Sequence, residues 1–148
     1  MKILFTTGNN LLSWIIRKIT REECSHVVMQ FGELVVHSDL LGVRVERLDK
    51  FMERTRIIHS LDWDDSLNTH LLYHVLTKHL GKGYDIGAFI YLGLRLMCRC
   101  FPKVNLWQTS GMFLCTEFVT EVISQEEDSM ITPCKLYEKL KKELSNVN

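Results

Sequence analysis

Ser25-His26-Val27-Val28-Met29-Gln30-Phe31-Gly32-Glu33-Leu34-Val35-Val36-His37-Ser38 reads as two strands joined by a short turn. Branched and long apolar residues fill Ser25 to Phe31 and Leu34 to Ser38, and Gly32 marks the reversal between them. His26 and His37 stand in the outer parts of the two strands. An even loop, such as Gly32-Glu33, points both imidazoles to the same face. Two loop residues set them diagonally and four set them directly opposite, and either arrangement lets one ring bond the other. An odd loop would separate them.

Outward from this hairpin, Lys2 to Thr6 reads as a strand. Asn10 to Thr20 reads as a helix with Leu11, Leu12, Trp14, Ile15, Ile16 and Ile19 on its apolar side. Val43 to Leu48 alternates as a half-exposed strand does, and Arg56 to Leu61 is another. From Asp64 the pattern turns helical. Asp64 or Asp65 caps a helix buried through Leu67, Leu71, Leu72, Val75 and Leu76, and Gly81 and Gly83 end it. Further helices are expected at Ile86 to Met97, at Phe113 to Ser124 after the Ser110-Gly111 turn, and from the Thr132 cap and Pro133 to about Leu144. Strands with one early helix, then helices, predict an α+β fold: an antiparallel sheet with helices on one face.

The 148 residues suit a single domain, 1–148, with no repeat or linker dividing it. Lys+Arg and Asp+Glu each number 18, so no basic excess points to nucleic acid. The apolar run at the N-terminus is too short for a signal peptide. The 5 cysteines, an odd number without a secretory context, argue for reduced thiols and a cytoplasmic location. Ile86 to Phe101 is the most apolar stretch. It carries Arg95 and Arg99 and falls short of a bilayer span, so a buried helix is expected; the sequence predicts no membrane contact and leaves one with lipid open.

Phe113-Leu114-Cys115-Thr116-Glu117-Phe118-Val119-Thr120-Glu121-Val122 places Cys115 in the first turn of a helix. Phe118, Val119 and Val122 follow at helical spacing, which turns the thiol toward the interior edge. A helix N-terminus offers partial positive charge and unpaired N–H groups, suited to a thiolate and to an oxyanion. A small core residue is the plain alternative. A nucleophilic cysteine needs a histidine, and of six, the His26/His37 pair is the one the strand pattern brings together.

His70 and His74 are one helical turn apart, but no Glu follows His70 as a metalloprotease motif requires, and they flank the apolar stripe. Cys98 and Cys100 lack a second zinc-like pair. Cys24 and Cys134 have no evident partner and read as structural. No glycine-rich phosphate loop or Gly-x-Ser-x-Gly elbow occurs, and no metal or cofactor is expected.

Taken together, Ser25-His26-Val27-Val28 with Val36-His37, and Cys115-Thr116-Glu117-Phe118-Val119, resemble the circularly permuted papain-fold cysteine hydrolases of the NlpC-type superfamily, with its lecithin:retinol acyltransferase-like members. Gly83-Tyr84-Asp85 and Thr132-Pro133-Cys134-Lys135-Leu136-Tyr137 match more loosely. The order of histidine before cysteine marks the permuted branch. The resemblance implies Cys115 as nucleophile, His26 as base and His37 as the orienting third member, with Asp39 or Glu33 in that role if the hairpin register differs. It assigns Tyr84 a place near the oxyanion.

The implied chemistry is cleavage of an amide bond through an acyl-enzyme. His26 takes the Cys115 proton, or the two form a thiolate–imidazolium pair. Implied substrates are a peptide, a peptidoglycan peptide or an acyl lipid. The second reading is a lipid-directed thioesterase or acyltransferase, favoured if an apolar groove lies beside Cys115. The third is a binding module of the same fold without activity. The lack of an export signal speaks against a wall peptide.

Overall fold

The computed structural model describes residues 1–63, 68–98, 112–124 and 131–147. Its described elements run β1 (Lys2–Gly8), α1 (Leu11–Thr20), β2 (His26–Phe31), β3 (Leu34–Asp39), β4 (Gly42–Arg47), α2 (Leu48–Met52), β5 (Thr55–Asp62), α3 (Asn68–Lys78), α4 (Ile86–Met97), α5 (Cys115–Ser124) and α6 (Pro133–Val147). The architecture is α+β. Five strands form one antiparallel sheet in the order β4-β3-β2-β1-β5.

Alternation along the strands divides the sheet into two faces. Ile3, Phe5, Val27, Met29, Phe31, Val36 and Val43 pack against Val75 of α3, Phe118, Val119 and Val122 of α5, and Leu136 and Leu140 of α6. Leu4, Val28 and Val35 point the other way, where Phe51 of α2 covers them. The expectation of helices on one face therefore needs correction. A five-residue helix covers part of the second face, and it is too short to show a 3.6-residue period in the sequence.

Local chemistry fixes the helix starts. Asn10 caps α1 by accepting from the Ser13 N–H at 2.8 Å, and Asp85 caps α4 by accepting from the Ala88 N–H at 2.7 Å. Pro133 occupies the first position of α6, where its missing N–H costs nothing. Asp64, Asp65 and Leu67, expected to start α3, lie outside the described residues, as do Ser110-Gly111, Arg99 and Cys100. Among the described residues no helix is long and apolar enough to cross a membrane.

The sheet is irregular at its centre. The β2·β3 ladder pairs only Met29–Phe31 with Leu34–Val36, although β1 pairs β2 as far as His26 and β3 pairs β4 as far as Asp39. Beyond Met29 and Val36 the two middle strands part.

Candidate active site

The chain leading into α5 enters that parting. Ser38 Oγ on β3 donates to the Phe113 carbonyl at 2.9 Å, and the Val27 N–H on β2 donates to Cys115 Sγ. With no β3 partner at this end of β2, the Val27 N–H on that side is available for the sulfur. Glu117 Oε2 accepts from the Leu114 N–H at 3.0 Å, a carboxylate three residues in that reaches back to the cap and fixes the first turn. Cys115 follows the cap directly. The backbone N–H groups of the first turn lie near its sulfur and work to lower its pKa.

On the other face the hairpin loop is Gly32-Glu33, an even loop, and Gly32 takes a positive φ of 59°. His26 and His37 therefore share a face in the diagonal relation, and His26 Nε2 lies 3.1 Å from His37 Nδ1. His37 Nε2 lies 2.8 Å from Glu46 Oε1 on β4, and Arg54 pairs with the same carboxylate. Glu46 stands opposite Val35, one diagonal step from His37. His26, His37 and Glu46 thus form a line across three strands.

That line fixes proton positions. Burial works to raise the Glu46 pKa, but Arg54 and His37 outweigh it and hold the carboxyl below the ordinary range. An ionised carboxylate only accepts, so His37 donates from Nε2 and leaves Nδ1 bare. His26 then donates from Nε2, and its Nδ1 is the nitrogen left with a lone pair. Burial, then the neighbouring His37, pulls the His26 pKa down to about 3, and burial likewise lowers that of His37. Burial pushes the Cys115 thiol up to about 11 against the opposing pull of the nearby backbone N–H groups. Thiol and imidazoles are all neutral near pH 7, not a preformed ion pair.

Of the alternatives for the third position, Asp39 is bound by Arg44 Nε at 3.0 Å and lies 3.9 Å from His37 Nδ1. Glu33 is exposed in the turn. The acceptor at His37 is Glu46, which no sequence motif marks; its place in an alternating strand next to the hairpin is the only available signal. Of the remaining histidines, His70 is exposed, and His74 lies with its ring 5.6 Å from that of buried His79. Cys24 and Cys134, expected as structural thiols without partners, adjoin one another.

Two cavities meet at this site, sharing Ile16, Ser25 and Tyr84. One, of about 180 Å³, is lined by His26, His37, Asp39, Asn10 and Arg54. The other, of about 260 Å³, has Cys115 in its wall and is otherwise walled mainly by Ile19, Phe89, Leu92, Leu96 and Leu114. Tyr84 stands between them, and burial together with Cys115 and Glu117 raises its pKa well above the ordinary phenol range. No family model matches the chain, and no curated protein matches it.

Proposed function

We propose that the protein is a cysteine hydrolase of the permuted papain-like, NlpC-type kind, with Cys115 as nucleophile, His26 as general base and His37 as its orienting partner. The observation that carries this reading is the Glu46–His37–His26 chain, which ends at His26 on β2, together with the backbone N–H of the next residue, Val27, which faces the Cys115 thiol. Chain order, the antiparallel sheet and the nucleophile at a helix start support the permuted fold.

The mechanism follows from the proton positions. Cys115 attacks the carbonyl as its proton passes to the bare Nδ1 of His26, and the imidazolium is stabilised through His37 by the Glu46 carboxylate. Backbone N–H groups at the start of α5 take the oxyanion. Protonated His26 gives its proton to the leaving group. Water, activated by the same histidine, then releases the acyl group from Cys115.

The sequence favours a peptide amide; the cavities favour an aliphatic acyl ester or acyl amide. A peptide would set polar backbone against the apolar wall of Ile19, Phe89 and Leu92, with its hydrogen bonds unmet. An alkyl chain fills such a space at a gain of about 0.8 kcal/mol per buried methylene. The cavity at His26, where Asn10, Asp39 and Arg54 offer polar groups, takes the leaving group. The test compares p-nitrophenyl esters from butyrate to dodecanoate with a peptide amide, in wild type and Cys115→Ala. Ester turnover that rises with chain length and vanishes in the variant is expected. A folded wild type that turns over neither class, with Cys115 inert to acylation, overturns the reading.

A further inference from the structure

Cys24 and Cys134 meet at the corner where the chain enters β2 and α6 begins. The Cys24 N–H donates to Cys134 Sγ at 3.4 Å, and the two thiols lie within hydrogen-bonding reach of each other. Glu22 holds the two segments together. Its Oε1 accepts from Thr132 Oγ1 at 2.6 Å and its Oε2 from the Cys134 N–H at 3.3 Å, so the residues before β2 are fastened to the first turn of α6. Cys24 is fully buried and Cys134 is partly exposed.

We infer that Cys24 and Cys134 are a redox modification site that closes to an intramolecular disulfide, with a small-molecule disulfide such as oxidised glutathione as the oxidant. The partly exposed Cys134 attacks first as its thiolate. It bonds to one glutathione sulfur and expels the other glutathione as a thiolate. The Cys24 thiolate then attacks the Cys134 sulfur and displaces the second glutathione. The protein loses two thiol protons and two electrons, and one oxidised glutathione becomes two thiols. The order of attack follows from access, and also from burial, Cys134 and Glu22, which all raise the Cys24 pKa.

The bond would join two parts of the candidate site. Cys24 lies two residues before His26, and Thr132 and Pro133, next to Cys134, line the apolar cavity at Cys115. Closure therefore ties the entry of β2 to the cavity wall. The inference stands independently of whether Cys115 is a nucleophile.

The test equilibrates the whole chain in glutathione buffers of rising oxidised fraction, traps remaining thiols with N-ethylmaleimide and maps the peptides. Digestion combines trypsin with Glu-C, because Cys115 and Cys134 share a tryptic fragment that is cut at Glu117 and Glu121. The expected result is a peptide pair joining Cys24 to Cys134, two hydrogens lighter than the reduced sum and opened by dithiothreitol. Oxidised wild type is expected to melt higher than reduced, because the bond closes a long loop in the unfolded chain. Cys134→Ser removes both effects. A persistent glutathione adduct on Cys134 with Cys24 still alkylated, or linkage of either thiol to another cysteine, overturns the inference. The wild-type peptide map decides the matter even if the variant fails to fold.

Discussion

His37 reaches Glu46 through Nε2 and His26 through Nδ1, at 2.8 Å and 3.1 Å, so Glu46 sets which nitrogen of each ring carries the proton. Gln at position 46 keeps a carbonyl oxygen for Arg54 and His37, which share Oε1, so the tautomers persist. It loses the negative charge that stabilises the imidazolium formed when His26 takes a proton. Glu46→Gln is therefore expected to cost at least about tenfold in kcat/KM for ester hydrolysis. The check is kcat/KM for Glu46→Gln beside Glu46→Ala, with melting temperature as a control. Unchanged kcat/KM in both would mean that Glu46 holds only the sheet.

Cys115 and His26 are held neutral by burial, with pKa values of about 11 and about 3. Without substrate, the thiolate fraction at Cys115 grows about tenfold per pH unit up to that value. Iodoacetamide labelling of Cys115, followed by peptide mass spectrometry, should climb steadily from neutral pH through about pH 10. A plateau already reached near neutrality would reveal a thiolate–imidazolium pair instead.

Gly93 lies on the cavity side of α4, where a Cβ would meet Ile19 Cδ1 at 3.8 Å, an ordinary contact. Gly93→Ala should stabilise the protein by about 0.5–1 kcal/mol through helix propensity, read by denaturant unfolding. Gly93→Leu fills the cavity. It should raise KM for the dodecanoate ester about tenfold, losing roughly two methylenes of burial, and leave the butyrate ester nearly unchanged. Equal loss on both esters would place the acyl chain elsewhere.

His26 at about 3 and His79 at about 4 both lie below the 6.5 of an ordinary imidazole, in each case chiefly through burial. Between those values the unfolded chain binds protons that the folded chain refuses, so stability rises with pH across the window. The contribution is complete above about pH 6.5 and drains away as pH falls toward about 4 and then about 3. Melting temperature should drop progressively below about pH 6.5. A flat profile from about pH 7 to about pH 4.5 would mean that neither ring is held neutral.

Much of this protein is written in its local sequence. Alternation places β2, β3 and β4 to within a residue or two, the Ile86–Met97 helix has the bounds its apolar run predicts, and Asn10, Thr132 and Pro133 mark helix starts. Such features depend on neighbours within one turn or one strand pair, and local residue chemistry encodes them. The two-residue turn at Gly32-Glu33 likewise carries the His26–His37 contact, because side-chain parity follows from loop length.

Other features arise only from tertiary packing. Alternation in Val27 and Val36 says nothing of a ladder that stops at Met29, yet that parting admits Cys115 to the Val27 N–H. Glu46 is one more strand residue in the linear pattern, and the β3–β4 register sets it diagonal to His37. Cys24 and Cys134, 110 residues apart, meet only because α6 packs against the entry to β2. Each of these contacts is made between separate segments and set by how whole faces pack. A linear pattern carries the faces, and the packing chooses their partners.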